Sequence, residues 1–229
     1  MLPLMQTPTF STYIPSINQE VLMRPFLVKE EKILLLAKQS NDKDQILLSI
    51  QQVVQNCLID QEYDIGKLPF FDVEYLFIQL RINSIGDDIK IKIRDEDIDE
   101  DVEATISLND LDISVPEEDN EVVLNSSTSM ILKYPTLKDL SKVDTSNEVS
   151  SFFSLLKSCI LTVVHNDTIY EFDNYSEEEK DEYIESLSMD YLNKCRGFIT
   201  NLPSVQIPAK WTVKGKKKEK MIKGMNSFF

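Results

Sequence analysis

Between residues 43 and 59 the apolar side chains Ile46, Leu47, Ile50, Val53, Val54, Cys57 and Leu58 recur at three- and four-residue spacing. That spacing gathers them on one face of a helix and leaves Gln51, Gln52 and Gln55 off it. Ahead of it, Lys29, Glu30, Glu31 and Lys32 form a charged first turn before Ile33 to Leu36, which predicts a helix over 29–39. Asn41 to Asp44 breaks the pattern and supplies an N-cap for the next helix. A third helix opens near Pro69, a residue tolerated at a helix start, and carries Val73, Leu76, Phe77 and Leu80 on one side. The period then changes. Residues 89–94 alternate isoleucine with Lys90, Lys92 and Arg94, and 102–108 alternate as well, the mark of strands with one buried face. Between them lies the acidic run 95–101, read as a solvated hairpin tip. Further short strands are expected at 112–115 and at 121–124 or 129–134.

In the second half, 147–164 is the strongest apolar stretch and predicts one long helix, preceded by a short one at 136–142. Asn166 and Asp167 turn the chain, and 168–172 reads as a short strand. Ser176 followed by Glu179 is a capping-box start, and Ser188 opens a last helix ending near Leu202 and Pro203. The stretch 210–223 reads as a hairpin with a basic tip. The expected fold class is α+β, mainly helical, with an acidic β-hairpin or small-sheet insert and a C-terminal β-hairpin. The expected divisions are an extended arm at 1–22, a helical module at 23–86, the acidic insert at 87–134, a second helical module at 135–203 and the basic hairpin tail at 204–229.

Charge sharpens this picture. The 229 residues carry a net charge of −15. Residues 87–121 hold fifteen acidic groups against Lys90, Lys92 and Arg94, a net −12. Residues 210–223 hold seven lysines and one glutamate, so the two segments are of opposite sign and can pair within one chain or between copies. The overall acidity argues against binding to a phosphate backbone. No apolar run approaches the roughly 20 residues of a membrane span, and 1–8 lacks the pattern of a secretory signal. Cys57, Cys159 and Cys195 are odd in number and widely spaced, which fits reduced thiols in a cytosol-like compartment.

Candidate chemistry is sparse. His165 is the single histidine, in a turn, with no nucleophile named beside it. Cys57 and Cys159 pattern with the apolar residues and read as inert, whereas Cys195, flanked by Lys194 and Arg196, reads as the more reactive thiol. The run 95–101 lacks the central glycine of a calcium-binding loop. The expectation is a protein that is not an enzyme, with no catalytic residues, metal or cofactor. The candidate partner-binding residues are Arg24, Phe26, Leu27, Trp211, Lys216, Lys217, Lys218, Phe228 and Phe229. Aromatic residues anchor interfaces well because they bury large area with few rotatable bonds.

The stretch Arg24-Pro25-Phe26-Leu27-Val28-Lys29-Glu30-Glu31-Lys32 resembles the baseplate protein family of T4-type contractile-tailed bacteriophages. So do Gln55-Asn56-Cys57, Leu68-Pro69-Phe70-Phe71-Asp72-Val73-Glu74-Tyr75-Leu76-Phe77, Gln79-Leu80-Arg81 before Ser84-Ile85-Gly86, Lys133-Tyr134-Pro135-Thr136, Leu202-Pro203 and Phe228-Phe229. The resemblance is densest over 24–86 and weak over the acidic insert. It implies a baseplate hub subunit or hub assembly factor that binds other hub proteins, with the tape-measure protein as a second candidate and self-association a third. Neither nucleic acid nor membrane is an expected partner. The expected location is the host cytoplasm during assembly and the baseplate hub of the virion. Two alternatives are a transient tail-assembly chaperone absent from the virion and an acidic nucleic-acid mimic that inhibits a host enzyme. Relatives with cysteine pairs in their hairpins imply a zinc knuckle there; this chain has no cysteine from 87 to 158 or after 195.

Overall fold

The computed structural model describes residues 5–59, 62–115 and 120–224. The chain divides into two compact units, Met1–Ser114 with Ser204–Phe229, and Val115–Pro203. The first begins with a hairpin in which β1 (Phe10–Ile14) pairs antiparallel with β2 (Gln19–Met23), burying Ile14, Val21 and Met23. Helix α1 (Val28–Ser40) stops at Asn41, which takes the left-handed conformation (φ 54°) that ends many helices. Helix α2 (Lys43–Cys57) starts on Asp42, whose carboxylate accepts from the Asp44 and Gln45 N–H groups at 3.0 and 3.3 Å. It buries Ile50, Val53, Val54 and Cys57, the face set by their spacing. Gln55, off that face, clamps the next loop by donating to the Tyr63 carbonyl (3.2 Å) and accepting from the Ile65 N–H (2.9 Å).

Helix α3 (Phe70–Ser84) is buried on every side: Phe71 to Ile78 and Leu80 are all inaccessible. A helix without a polar face must sit in the middle of its unit. In its first turn Asp72 accepts from the Ser16 N–H (2.9 Å) and the Ser16 hydroxyl (2.5 Å), pinning the β1–β2 turn to the helix start. Burial raises the Asp72 pKa, and the Ser16 bonds offset only part of that. The chain continues into β3 (Asp88–Asp95), β4 (Glu100–Ser107) and the short β5 (Asp112–Ser114).

The second unit contains β6 (Glu121–Asn125), β7 (Thr128–Leu132), α4 (Leu137–Leu140), α5 (Glu148–Cys159), β8 (Ile160–His165), β9 (Thr168–Glu171), α6 (Glu177–Glu185) and α7 (Met189–Thr200). Its four strands form one antiparallel sheet in the order β6-β7-β8-β9. Asn166 and Asp167, both at positive φ (47° and 61°), make the two-residue turn that matches strand twist. Met130, Leu132, Leu156, Cys159, Ile160 and Phe198 share its core, and Tyr134 stacks on Phe198 with ring centroids 5.4 Å apart.

The chain then returns to the first unit as β10 (Ser204–Val213) and β11 (Lys216–Lys223), joined by Lys214 and Gly215 at φ 49° and 76°. The resulting antiparallel sheet runs β11-β10-β4-β3, with β5 also on β10. Ile106 lies opposite both Ile89 and Ala209, so the acidic and basic segments share one apolar face. That face packs with α3 in a single core.

The expectation of a mainly helical protein is corrected. Among the described residues eleven strands form three antiparallel sheets beside seven α-helices, so the protein is α+β and rich in sheet. Three readings account for the difference. The arm at 1–22 holds β1 and all but the last residue of β2, so it is a hairpin and not an extended arm. The predicted helix 147–164 ends at Cys159, because Ile160, Thr162, Val163 and Val164 are β-branched and stiff, and pack better on a pleated surface. Strand β10 begins at Ser204 rather than Lys210, its first half masked in the sequence by Pro208, a residue that disfavours a strand reading.

Replacing Leu76, fully buried in α3, by alanine should lower the unfolding free energy by about 2–5 kcal/mol. Leu48→Ala, at a side chain 56% exposed, should stay within about 0.5 kcal/mol of the parent. Urea denaturation of both variants checks the contrast.

Candidate protein-binding site

The sequence candidates around residue 24 split between the interior and the surface. The Arg24 guanidinium donates to Glu30 Oε1 (3.0 Å) and to the Asn56 carbonyl (3.0 Å), while the Arg24 N–H donates to the Cys57 carbonyl (2.9 Å). Glu30, although part of a charged first turn, is fully buried and also accepts from the Leu27 N–H at 2.9 Å. Burial alone would raise its pKa. The Arg24 hydrogen bond, the Leu27 N–H, and the Arg24 charge overcome that and hold it below the usual carboxylate range. Phe26 packs against the core and its N–H donates to Ser84 Oγ (3.0 Å). Arg24 and Phe26 therefore lock the β2–α1 junction to the ends of α2 and α3. Leu27 faces outward, 40% exposed, and the apolar surface continues along α1 with Val28 (80%), Leu35 (55%) and Leu36 (57%). Val28 and Leu35, seven residues apart, lie on one helix face.

The basic hairpin also separates its candidates. Lys216 and Lys217 are exposed, whereas Lys218 reaches Asp95 at 2.7 and 2.8 Å and Asp97 at 2.6 Å. Trp211 donates its indole N–H to Asp95 Oδ2 at 2.6 Å. Asp95, expected in a solvated tip, is buried. The Lys218 hydrogen bond, then that of Trp211, holds its carboxyl down to about 2. This cluster joins the end of β3 to the start of β11. Outside it, Lys90 pairs with Glu103 (2.8 Å), Arg94 with Asp99 (2.8 Å) and Lys210 with Asp110 (2.6 Å). Phe228 and Phe229 lie outside the described residues.

The remaining candidates sit elsewhere. Cys195 is fully buried like Cys57 and Cys159, and burial pushes its thiol up to about 11, which corrects its reading as the reactive cysteine. The adjacent cations do not offset that burial. His165 ends β8 with Nδ1 2.8 Å from Thr128 Oγ1, and it borders an aromatic recess of about 400 Å³ with Tyr170, Phe172, Tyr175 and Tyr183. Nothing in their neighbourhood marks Glu30 and Asp95 for burial, since both sit in charged runs. Only the position of Glu30, three residues after the helix N-cap, carries a local signal.

The first unit is thus an α+β body with an exposed apolar helix face and a sheet in which an acidic and a basic hairpin meet. The family model described as T4 bacteriophage base plate protein matches residues 5–229, and the chain belongs to that family. No curated protein and no solved structure matches the chain significantly. Among the described residues no helix is long and apolar enough to cross a membrane.

Removing the Arg24 side chain leaves the Glu30 carboxylate buried without its main partner, so Arg24→Ala should cost about 3–5 kcal/mol in a denaturant titration. The Asp95 cluster predicts a pH dependence of known sign. The folded carboxyl lies below its ordinary value of 3.8, so its stabilisation is full above that pH and is lost as pH falls towards about 2. Thermal melts from pH 6 to pH 2 should show a smaller acid loss for Asp95→Asn than for the parent.

Proposed function

We propose that this baseplate-family chain is a hub subunit or hub assembly factor that works by binding other phage structural proteins. The observation that carries this reading is the apolar surface of α1, where Val28, Leu35 and Leu36 stand more than half exposed. Exposed leucines on one helix are costly to leave in water and mark an interaction surface when they cluster. Other hub proteins are the first partners to consider, and the tape-measure protein the second. The reading places the chain in the host cytoplasm during assembly and in the tail baseplate if it is retained. It assigns the chain no catalytic step and no cofactor.

The nucleic-acid-mimic alternative draws less support. A mimic needs carboxylates displayed on one rigid face, yet Asp95, Asp97, Asp99, Asp101, Glu103 and Asp110 are each ion-paired to a lysine or arginine of the same sheet or its tip. Pairing neutralises the field that a mimic would present.

The double variant Leu35→Glu, Leu36→Glu should melt like the parent and lose at least tenfold in capture of baseplate proteins from an infected-cell lysate. Unchanged capture would remove α1 as the binding surface. Mass spectrometry of purified particles beside the lysate divides the two forms of the proposal. A few fixed copies per particle mean a hub subunit; presence in lysate alone means an assembly factor or chaperone.

A further inference from the structure

Among the described residues the path β11-β10-β4-β3 ends in two edge strands, β3 and β11, which do not pair with each other. They nevertheless approach. Asp95 of β3 is held by Lys218 of β11 at one end. Beyond that contact Ile91, Lys92 and Ile93 of β3 and Lys220, Met221 and Ile222 of β11 line a common recess of about 350 Å³. The sheet is thus curled into an incomplete barrel with a slot along its side. Both walls of the slot are strand backbones with one row of peptide groups unpaired, and such edges recruit an added strand.

From these features we infer that the slot accepts one extended segment of a partner protein in which apolar and acidic residues alternate. The register sets the inner face. Ile91 lies opposite buried Ala104, and Ile222 opposite buried Ile207, so Ile91, Ile93 and Ile222 point to the core side. These three are only partly buried, so an incoming apolar row would complete their cover. The other face is basic. Lys92 points outward with Lys90 and Arg94, and Lys223 lies on the outward face of β11. Lys90 and Arg94 are each ion-paired to acidic residues, but among the described residues the outward Lys92 and Lys223 take part in no ion pair. Two strand edges, an uncovered isoleucine row and unpaired lysines at the rim together specify a strand with carboxylates at every second position. The inference goes beyond the α1 contact and does not depend on it.

The test uses the full chain and a labelled seven-residue peptide alternating valine with glutamate. A valine–lysine peptide of equal length is the control. Fluorescence anisotropy should show binding of the acidic peptide alone. Lys92→Glu with Lys223→Glu should weaken it at least tenfold, while Lys32→Glu on α1 leaves it unchanged. Hydrogen exchange should slow at the amides of both β3 and β11 when peptide is bound. Equal binding of the two peptides, no binding of the acidic one, or protection elsewhere overturns the inference. So does a dimer in sedimentation that the same lysine reversal dissolves, since the slot then belongs to a second copy. The Leu35→Glu, Leu36→Glu variant should bind peptide normally, so failure of the α1 reading and failure of this one are told apart.

Discussion

The constraint on which the first unit rests is the all-round burial of α3. A helix with nine buried positions, including Asp72 and Glu74, cannot lie on a surface. It must be covered from every direction, and no single neighbouring segment is large enough to do so. The β1–β2 hairpin, α2 and the sheet containing β10 all pack in its core. This explains why the chain closes the unit with residues that lie beyond position 203. It also explains the buried ion pair at Glu30, which fixes the junction where the hairpin hands over to α1 beside the α2 and α3 ends.

The charged segments follow the same logic at the sheet. An acidic hairpin and a lysine-rich hairpin would each be a poor sheet alone, because like charges on adjacent strands repel. Placed in one sheet they are joined by Lys218 to Asp95 and Asp97 and by Lys210 to Asp110. The pairs at the surface contribute little individually. Asp95 differs because it is buried and takes bonds from Lys218 and Trp211 at once. Its importance is geometric as much as energetic, since it sets how closely the outer strands approach.

Much of this was legible in the residues. The period of α2, the alternation in β3 and β4, the turns at Asn166–Asp167 and Lys214–Gly215, and the Ser176 cap are all local signals, and each element forms where its signal lies. What escaped reading was non-local or ambiguous. Ile160 continues the apolar run of α5, and only side-chain branching separates helix from strand there. Asp95 looks like any other carboxylate of its run, because its partners lie 116 and 123 residues away. Glu30 likewise gains its role from Arg24 and the end of α2. The exposure of the α1 leucines was not legible either, since spacing alone does not say which apolar face finds a cover.

The order of the strands along the chain has a temporal consequence. The second unit is a continuous stretch, so during synthesis it can collapse as soon as residue 203 has emerged, in keeping with the tendency of domains to fold as units. The first unit cannot. Its N-terminal helices are made early but wait for β10 and β11, and α3 has no complete shelter until they arrive. A nascent chain whose residues up to 203, but not 204–223, have left the ribosome would therefore hold a finished second unit and an unfinished first one. Any surface that needs both β3 and β11 comes into being only once residue 223 has been made, well after the strand that forms its other wall.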